Sequence, residues 1–225
     1  MQRTEKAAAA RNSEACQSRD SSAVDQAVFE RDFGGKRTLK RIEEFRSLIE
    51  IAGFRSARIS DFRVFLQSIV KGKSTGVEVQ FFDSRTVATW QHLYFAALNA
   101  LTSFSNKTNI SKTLAMETLL YAAAERQIIK ATKKMGIKPA TSDVAALILG
   151  KDTKKIESTF SLISKKLKGQ PDDEVLELTK SKCELIKKLF SVSEAELMSV
   201  MKGVDANRAL VELVMERMAL VSSKR

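Results

Sequence analysis

DVAALILG, residues 143–150, is a continuous apolar run closed by a glycine. A run of this length is typical of a strand that is buried on both faces. Two further segments, LIEIAGF at 48–54 and GVEVQFFD at 76–83, are rich in β-branched and aromatic residues and also predict strands. The three segments together predict a small sheet.

Helical periodicity dominates the sequence around these strands. Asp61 and Asp83 each precede a helical segment and are predicted to act as N-caps. The predicted helices lie within 34–47 and at 61–72, 84–104, 117–136, 153–169, 193–201 and 205–221, and the segment 172–193 is expected to hold a short strand and then a helix.

The segment ETLLYAAAERQIIKATKKMG, residues 117–136, is predicted to be one helix that Asn109 or Ser111 caps. Its first half is apolar and its second half is basic. At 100° per residue, one arc of about 120° holds five polar side chains, Arg126, Gln127, Lys130, Lys133 and Lys134. Either this arc is a solvated helix end that suits the helix dipole, or it contacts the phosphates of a nucleic acid.

Glu117, Tyr121 and Glu125 lie on the other side of this predicted helix, together with Ile128. Carboxylates on a face that points to the core need partners. The expected partners are three arginines, Arg55, Arg58 and Arg85. The alternative is that the carboxylates line a polar pocket beside the turn at 109–111.

The chain has 225 residues, a formal net charge of +11 and an isoelectric point near 9.7. This balance indicates an acidic partner, with nucleic acid ahead of a membrane surface, although excess lysine can also serve solubility. The N-terminus lacks the apolar segment of a signal peptide, and no apolar run is long enough to span a membrane. Cys16 and Cys183 match no metal or redox spacing, so both are expected to be free thiols in a reducing cytoplasm.

The inventory of reactive side chains argues against an enzyme. The one histidine, His92, lies in an apolar segment and is expected to be a hydrogen-bonded structural residue. With one histidine and two separated cysteines, a histidine-based triad or a zinc cage within the chain is nearly excluded. The segment FGGKRT lacks the first glycine and the Ser or Thr of a phosphate-binding loop. No metal, no cofactor and no small-molecule substrate are expected.

Four short segments, NIS at 109–111, ME at 116–117, LLYAA at 119–123 and ERQI at 125–128, stand at characteristic spacings. With them, the chain from about residue 48 to 225 resembles the small kinase-binding subunit of the KEOPS (EKC) complex, the PRPK-binding protein family, in its archaeal form. The resemblance implies an α/β (α+β) fold, in which several helices pack on a small mixed sheet within a single, helix-rich domain.

The resemblance also implies a non-catalytic role. Such a subunit binds and supports the small atypical kinase/ATPase of the complex and holds the single-stranded 3′ CCA end of tRNA. The complex attaches threonylcarbamoyl to the adenosine beside the anticodon. The NIS and ERQI segments are carried over as the RNA-facing region, so the predicted RNA-binding residues are Asn109, Ser111, Arg126, Gln127, Lys130, Lys133 and Lys134. The alternative is a purely structural, protein-binding subunit without RNA contact.

Residues 1–45 precede the resemblance and are expected to be a disordered extension of a domain at 46–225, either a lineage-specific arm or an over-long gene start. The C-terminal helix has two apolar faces, and one suffices to dock on its own domain. The second face is predicted to contact the kinase through Val211, Met215 and Met218, because methionine suits an adaptable contact surface. The alternative is that both faces are buried within the domain.

Overall fold

The predicted apolar runs form neighbouring strands of one antiparallel sheet. The computed structural model describes residues 39–201 and 204–223. Its strands are β1 (Leu39–Ile42), β2 (Ser47–Arg55), β3 (Glu78–Asp83), β4 (Val144–Gly150) and β5 (Gln170–Pro171). Their order is β1-β2-β4-β3, and β5 pairs with the end of β2. All of these pairings are antiparallel, which refines the expected mixed sheet.

Helices make up most of the rest of the described chain. The α-helices are α1 (Phe62–Gly72), α2 (Trp90–Ser105), α3 (Leu114–Ala122), α4 (Ile128–Met135), α5 (Thr153–Leu167), α6 (Lys180–Phe190), α7 (Glu194–Val200) and α8 (Ala206–Ser223). Short 3₁₀ helices occupy Glu43–Phe45, Ser84–Thr86 and Asp173–Leu176. The predicted class, a helix-rich α/β (α+β) domain with a small sheet, is confirmed. Among the described helices, none combines the length and the apolar character that crossing a membrane requires.

Both faces of the sheet are covered, which explains why β4 is an unbroken apolar run. Phe54, Val144 and Ile148 point to one face and share a core with α1 and α5. Ile49 and Leu147 point to the other face and are equally buried. On that side α2 packs on β2 and α3 packs on β3.

Gly53 lets the 3₁₀ helix Asp173–Leu176 approach the sheet. A Cβ atom at residue 53 would lie 2.3 Å from the carbonyl oxygen of Asp172. Instead, the Asp172 N–H donates to the Gly53 carbonyl and the Gly53 N–H donates to the Asp173 carboxylate, both at 2.9 Å. The short strand predicted at the start of 172–193 is therefore wrong, because this segment forms a 3₁₀ helix.

The sheet extends further toward the N-terminus than the sequence indicates. Leu39 of β1 lies opposite Glu50 of β2, so residues 39–45 form an edge strand and a 3₁₀ helix. The short helix expected within 34–47 is found as the 3₁₀ helix Glu43–Phe45, while Leu39–Ile42, which was expected to be part of the N-terminal extension, pairs with β2. The disorder expected for 1–38 falls outside the described residues, as does Cys16.

The long buried helix α2 begins at Trp90, later than predicted. The Asp83 carboxylate accepts the Arg85 N–H and pairs with the Arg85 guanidinium, so Asp83 caps the preceding 3₁₀ helix. Val87 is then extended, with φ −94° and ψ 119°, and this separates the 3₁₀ helix from α2.

Candidate RNA- and partner-contact surfaces

The predicted helix 117–136 is wrong as a single element, because the chain breaks it at Ala124, just before the ERQI segment. Ala124 takes a left-handed conformation with φ 52°. The Ala124 N–H donates to the Tyr121 carbonyl and the Glu125 N–H donates to the Leu120 carbonyl, at 2.8 and 3.0 Å. This pair of bonds is a Schellman motif, which ends α3. Residues 123–127 therefore form a connection between α3 and α4.

Two side chains hold this connection from the inside. His92 is fully buried, and its Nε2 donates to the Ala122 carbonyl at 2.8 Å while its Nδ1 accepts the Ala88 N–H at 3.1 Å. Burial lowers the pKa of His92 to about 4, so the ring is neutral. His92 is therefore the hydrogen-bonded structural residue that the sequence predicts.

Lys134 is the second inner side chain. Its Nζ donates to the Ala123 carbonyl at 2.7 Å and lies 4.2 Å from the ring centre of Phe190. Burial lowers the pKa of Lys134, and the nearby Glu125 acts in the opposite direction. The predicted position of Lys134 on an exposed basic arc is wrong, because this amine satisfies a helix-terminal carbonyl inside the molecule.

The outer side of the connection is basic and apolar at once. We define the junction surface as residues 126–130 together with Lys133, all of which are exposed. Ile128 and Ile129 are 44% and 84% exposed, since α4 turns Ala131 and Met135 toward the core. The predicted core-facing position of Ile128 is wrong. Arg126 also donates from Nη1 to the Val221 carbonyl at 3.0 Å.

The NIS turn lies at the other end of α3 and is organised by Glu117. The Glu117 carboxyl group is fully buried and accepts the N–H groups of Ile110, at 3.0 Å, and Ser111, at 2.7 Å. Ser111 is buried, and its hydroxyl donates to the Thr113 carbonyl. Asn109 remains exposed and donates to the Ser111 carbonyl. Thr113, and neither Asn109 nor Ser111, is the N-cap of α3.

The two predicted RNA-facing segments lie at opposite ends of α3. Asn109 and Ser111 precede α3 while Arg126 and Gln127 follow it, and nine helical residues span about 14 Å. Ser111 points into the molecule, whereas Gln127, Lys130 and Lys133 are exposed on one surface. The junction surface is thus the part of the predicted site that could meet a ligand.

The expected pairing of the carboxylates of Glu117 and Glu125 with Arg55, Arg58 or Arg85 is not found among the described residues. Arg55 pairs with Asp172, and Arg85 pairs with Asp83. Tyr121 instead shares a hydrogen bond with the hydroxyl of Ser103 in α2. The Glu117 carboxyl group binds the backbone of the NIS turn directly, so it also lines no open pocket there.

The C-terminal helix α8 is buried on both of its predicted apolar faces. Met218 is fully buried and Val211 is 8% exposed, so the prediction of a free second face is wrong for these two residues. Met215 is partly exposed. The larger apolar exposure lies on the neighbouring helix α7, where Met198 is 68% exposed and Met201, just beyond its end, is 38% exposed.

Comparison with known sequences defines the class of protein. Residues 59–222 match the family model of the kinase-binding protein CGI-121. The match spans most of the chain and includes the NIS turn, the junction surface and α7, so the chain belongs to this kinase-binding family. The family implies a kinase partner, and the resemblance inferred from the NIS and ERQI segments is confirmed.

A similar protein of known name aligns with most of the chain. The regulatory protein Cgi121 of Methanocaldococcus jannaschii is 30% identical over 175 residues, which cover 78% of this chain and 98% of the relative. The alignment therefore covers nearly the whole length of the regulatory protein.

Proposed function

We propose that this chain is a non-catalytic subunit of the KEOPS complex, which forms threonylcarbamoyladenosine in tRNA. In this role it binds the single-stranded 3′ CCA end of tRNA and binds and activates the small atypical kinase/ATPase of the complex. Membership of the kinase-binding family supports the kinase role. The observation that carries the RNA role is the junction surface.

The chemistry of the junction surface suits an unpaired RNA strand. Lys130 and Lys133 are exposed cations three residues apart on α4, which places them side by side for phosphate contacts. Ile128 and Ile129 expose apolar side chains next to them, and unpaired bases present apolar faces that such groups can cover. Gln127 adds an amide that can donate to and accept from base edges. The net charge of +11 favours approach of a polyanion.

The double variant Lys130→Glu, Lys133→Glu is expected to bind tRNA roughly tenfold or more weakly than the wild type, because it replaces phosphate contacts by repulsion. For the wild type, log K should fall with log salt with a slope of roughly −2 to −3, as three or four contacts to a single strand require. Fluorescence anisotropy at several salt concentrations measures both quantities, with intact tRNA and with tRNA that lacks its CCA end.

The matched control is Lys151→Glu, Lys154→Glu, which changes the charge equally at two exposed lysines with the same spacing on and before α5. Its affinity should stay much closer to that of the wild type. Equal losses in both double variants, or equal affinity for tRNA with and without CCA, would contradict a 3′-end site. Absence of tRNA binding by the wild type would favour the purely structural subunit.

For the kinase we propose a contact on α7 and the adjoining side of α8. Arg217 of α8 pairs with Glu196 of α7, and this ion pair joins the two helices. Met198 follows Glu196 by two residues, so its side chain points away from the contact with α8 and is 68% exposed. Met198 and Met201, at the end of α7, are the exposed methionines here, and such side chains suit an adaptable protein contact.

The variant Met198→Glu is expected to weaken co-purification with the kinase subunit about tenfold or more, since a charge would be desolvated within the contact. Thermal unfolding should be nearly unchanged because Met198 is 68% exposed. Val70→Glu on α1 is the matched control, with 67% exposure and the same change to a carboxylate. Undiminished kinase binding by Met198→Glu would place the contact on another surface.

A further inference from the structure

A surface cleft of about 300 Å³ lies at the far end of α4 from Gln127, between the segments 57–60 and 139–142. The polar residues of its lining are Arg58, Ser60, Thr141 and Ser142. Ile59 and Pro139 supply apolar wall. The polar side chains are hydrogen-bond donors, and no carboxylate lines the cleft.

The walls of the cleft are held in place by backbone bonds. The Ala57 N–H donates to the Ser142 carbonyl at 2.6 Å and joins the two segments. The Arg58 N–H donates to the Leu167 carbonyl at the end of α5. Within 138–141, the Lys138 N–H donates to the Thr141 hydroxyl and the Thr141 N–H donates to the Lys138 carbonyl, both at 2.9 Å. The cleft is therefore preformed, and the Thr141 hydroxyl retains its own proton for donation.

The charges around the cleft favour an anion. Arg58 is exposed and makes no ion pair within the described residues. Two further exposed lysines adjoin the walls in the chain: Lys138 precedes Pro139, and Lys168 follows Leu167, whose carbonyl accepts the Arg58 N–H. Asp61 and Asp143 follow Ser60 and Ser142 in the chain but are not part of the lining, and their carboxylates accept the Val64 and Ser56 N–H groups. Arginine with several hydroxyls is a donor set that matches the oxygens of a phosphate group.

We propose that this cleft binds a phosphate of the RNA backbone, upstream of the 3′ end that contacts the junction surface. This inference rests on the proposed tRNA function. Lys133 lies in the last turn of α4, and only three residues separate Met135 from Pro139, so the chain leads from the end of this helix to the cleft over at most about 14 Å. The cleft has room for more than one phosphate group, and its apolar wall suits the adjoining ribose.

The test compares two RNA probes with the full chain: the tetranucleotide ACCA and a minihelix whose duplex continues from ACCA. Arg58→Ala should weaken binding of the minihelix about tenfold and reduce its salt slope by about 1, while ACCA affinity stays unchanged. Arg63→Ala is the matched control, since Arg63 is exposed on α1 and does not line the cleft. It should change minihelix affinity by less than about twofold.

Equal losses of minihelix affinity in Arg58→Ala and Arg63→Ala would overturn the cleft site, because the change in net charge alone would then explain both losses. A wild-type protein that binds the minihelix no more tightly than ACCA would also overturn it. Titration with inorganic phosphate, followed by the amide signals of Ser60 and Ser142, separates the two sources of phosphate. Phosphate binding without any gain from the minihelix would overturn the RNA assignment. Failure of the proposed function is distinct, because then wild-type protein would not bind ACCA at all.

Discussion

The variant Glu117→Ala is expected to lose about 3–5 kcal/mol of unfolding free energy. Its carboxyl group has no solvent exposure and accepts the backbone N–H groups of Ile110 and Ser111. Truncation would leave the buried Ser111 N–H and the part-buried Ile110 N–H without this acceptor, at about 1–3 kcal/mol for a buried donor, and would open a cavity beside them. Urea unfolding of the purified protein measures the loss.

Two comparisons make the result specific. Glu117→Gln keeps one acceptor oxygen and should lie between the wild type and the alanine variant. Glu157→Ala removes an exposed carboxylate from α5 and should change stability by less than about 0.5 kcal/mol. A loss below about 1 kcal/mol in Glu117→Ala would show that the NIS turn keeps its conformation without this carboxyl group.

Lowering the pH from about 6.5 to about 4 is expected to cost about 3 kcal/mol of stability through His92 alone. Burial holds the pKa of the folded state near 4, whereas the unfolded chain titrates near 6.5. In this window the unfolded state binds a proton that the folded state does not, so stability falls as the pH falls. Below about 4 the loss is complete, and above 6.5 it is absent.

The measurement is the unfolding free energy of wild type and His92→Gln at pH 7 and pH 4.5. The variant should be less stable at pH 7 but should lose less on acidification, and the difference isolates histidine from the carboxylates. NMR gives an independent check, because His92 is the one histidine of the sequence and its imidazole signals need no assignment among others. An imidazole that titrates near 6.5 in the folded protein would contradict its buried, neutral state.

The strands and helices that could be predicted from the sequence are those marked by a long apolar run or by helical periodicity. β2 and β4 are apolar runs because helices cover both faces of the sheet. The N-cap Asp61 and the helix end at Gly72 follow ordinary helix rules. β1 was not predicted, because LKRI is a polar edge strand whose pairing depends on β2. The break at Ala124 was not predicted, because the left-handed residue at a helix end is usually glycine and here it is alanine.

The candidate site was predictable in composition and not in orientation. A helical wheel places Lys130, Lys133 and Lys134 on one arc, but it assumes a single helix. Because the chain breaks before Ile128, α4 is rotated about its axis relative to a continuation of α3. Lys134 therefore points inward to Ala123, and Ile129 points outward. The role of Glu117 depends on a turn seven residues earlier that folds back on α3. Helical periodicity does not predict such a contact. Likewise Met218 is buried by other elements of the chain, which the amphipathic pattern of α8 does not reveal.

The bond from Arg126 to the Val221 carbonyl joins residues 95 positions apart, and its acceptor lies in the last turn of α8. On the ribosome, the ERQI segment is synthesised long before its acceptor exists. The α3–α4 connection can form its Schellman motif early, because those bonds are local. Arg126 can dock only after α8 has been released and has packed. The junction surface thus reaches its final form in the completed chain, and a nascent chain lacks it.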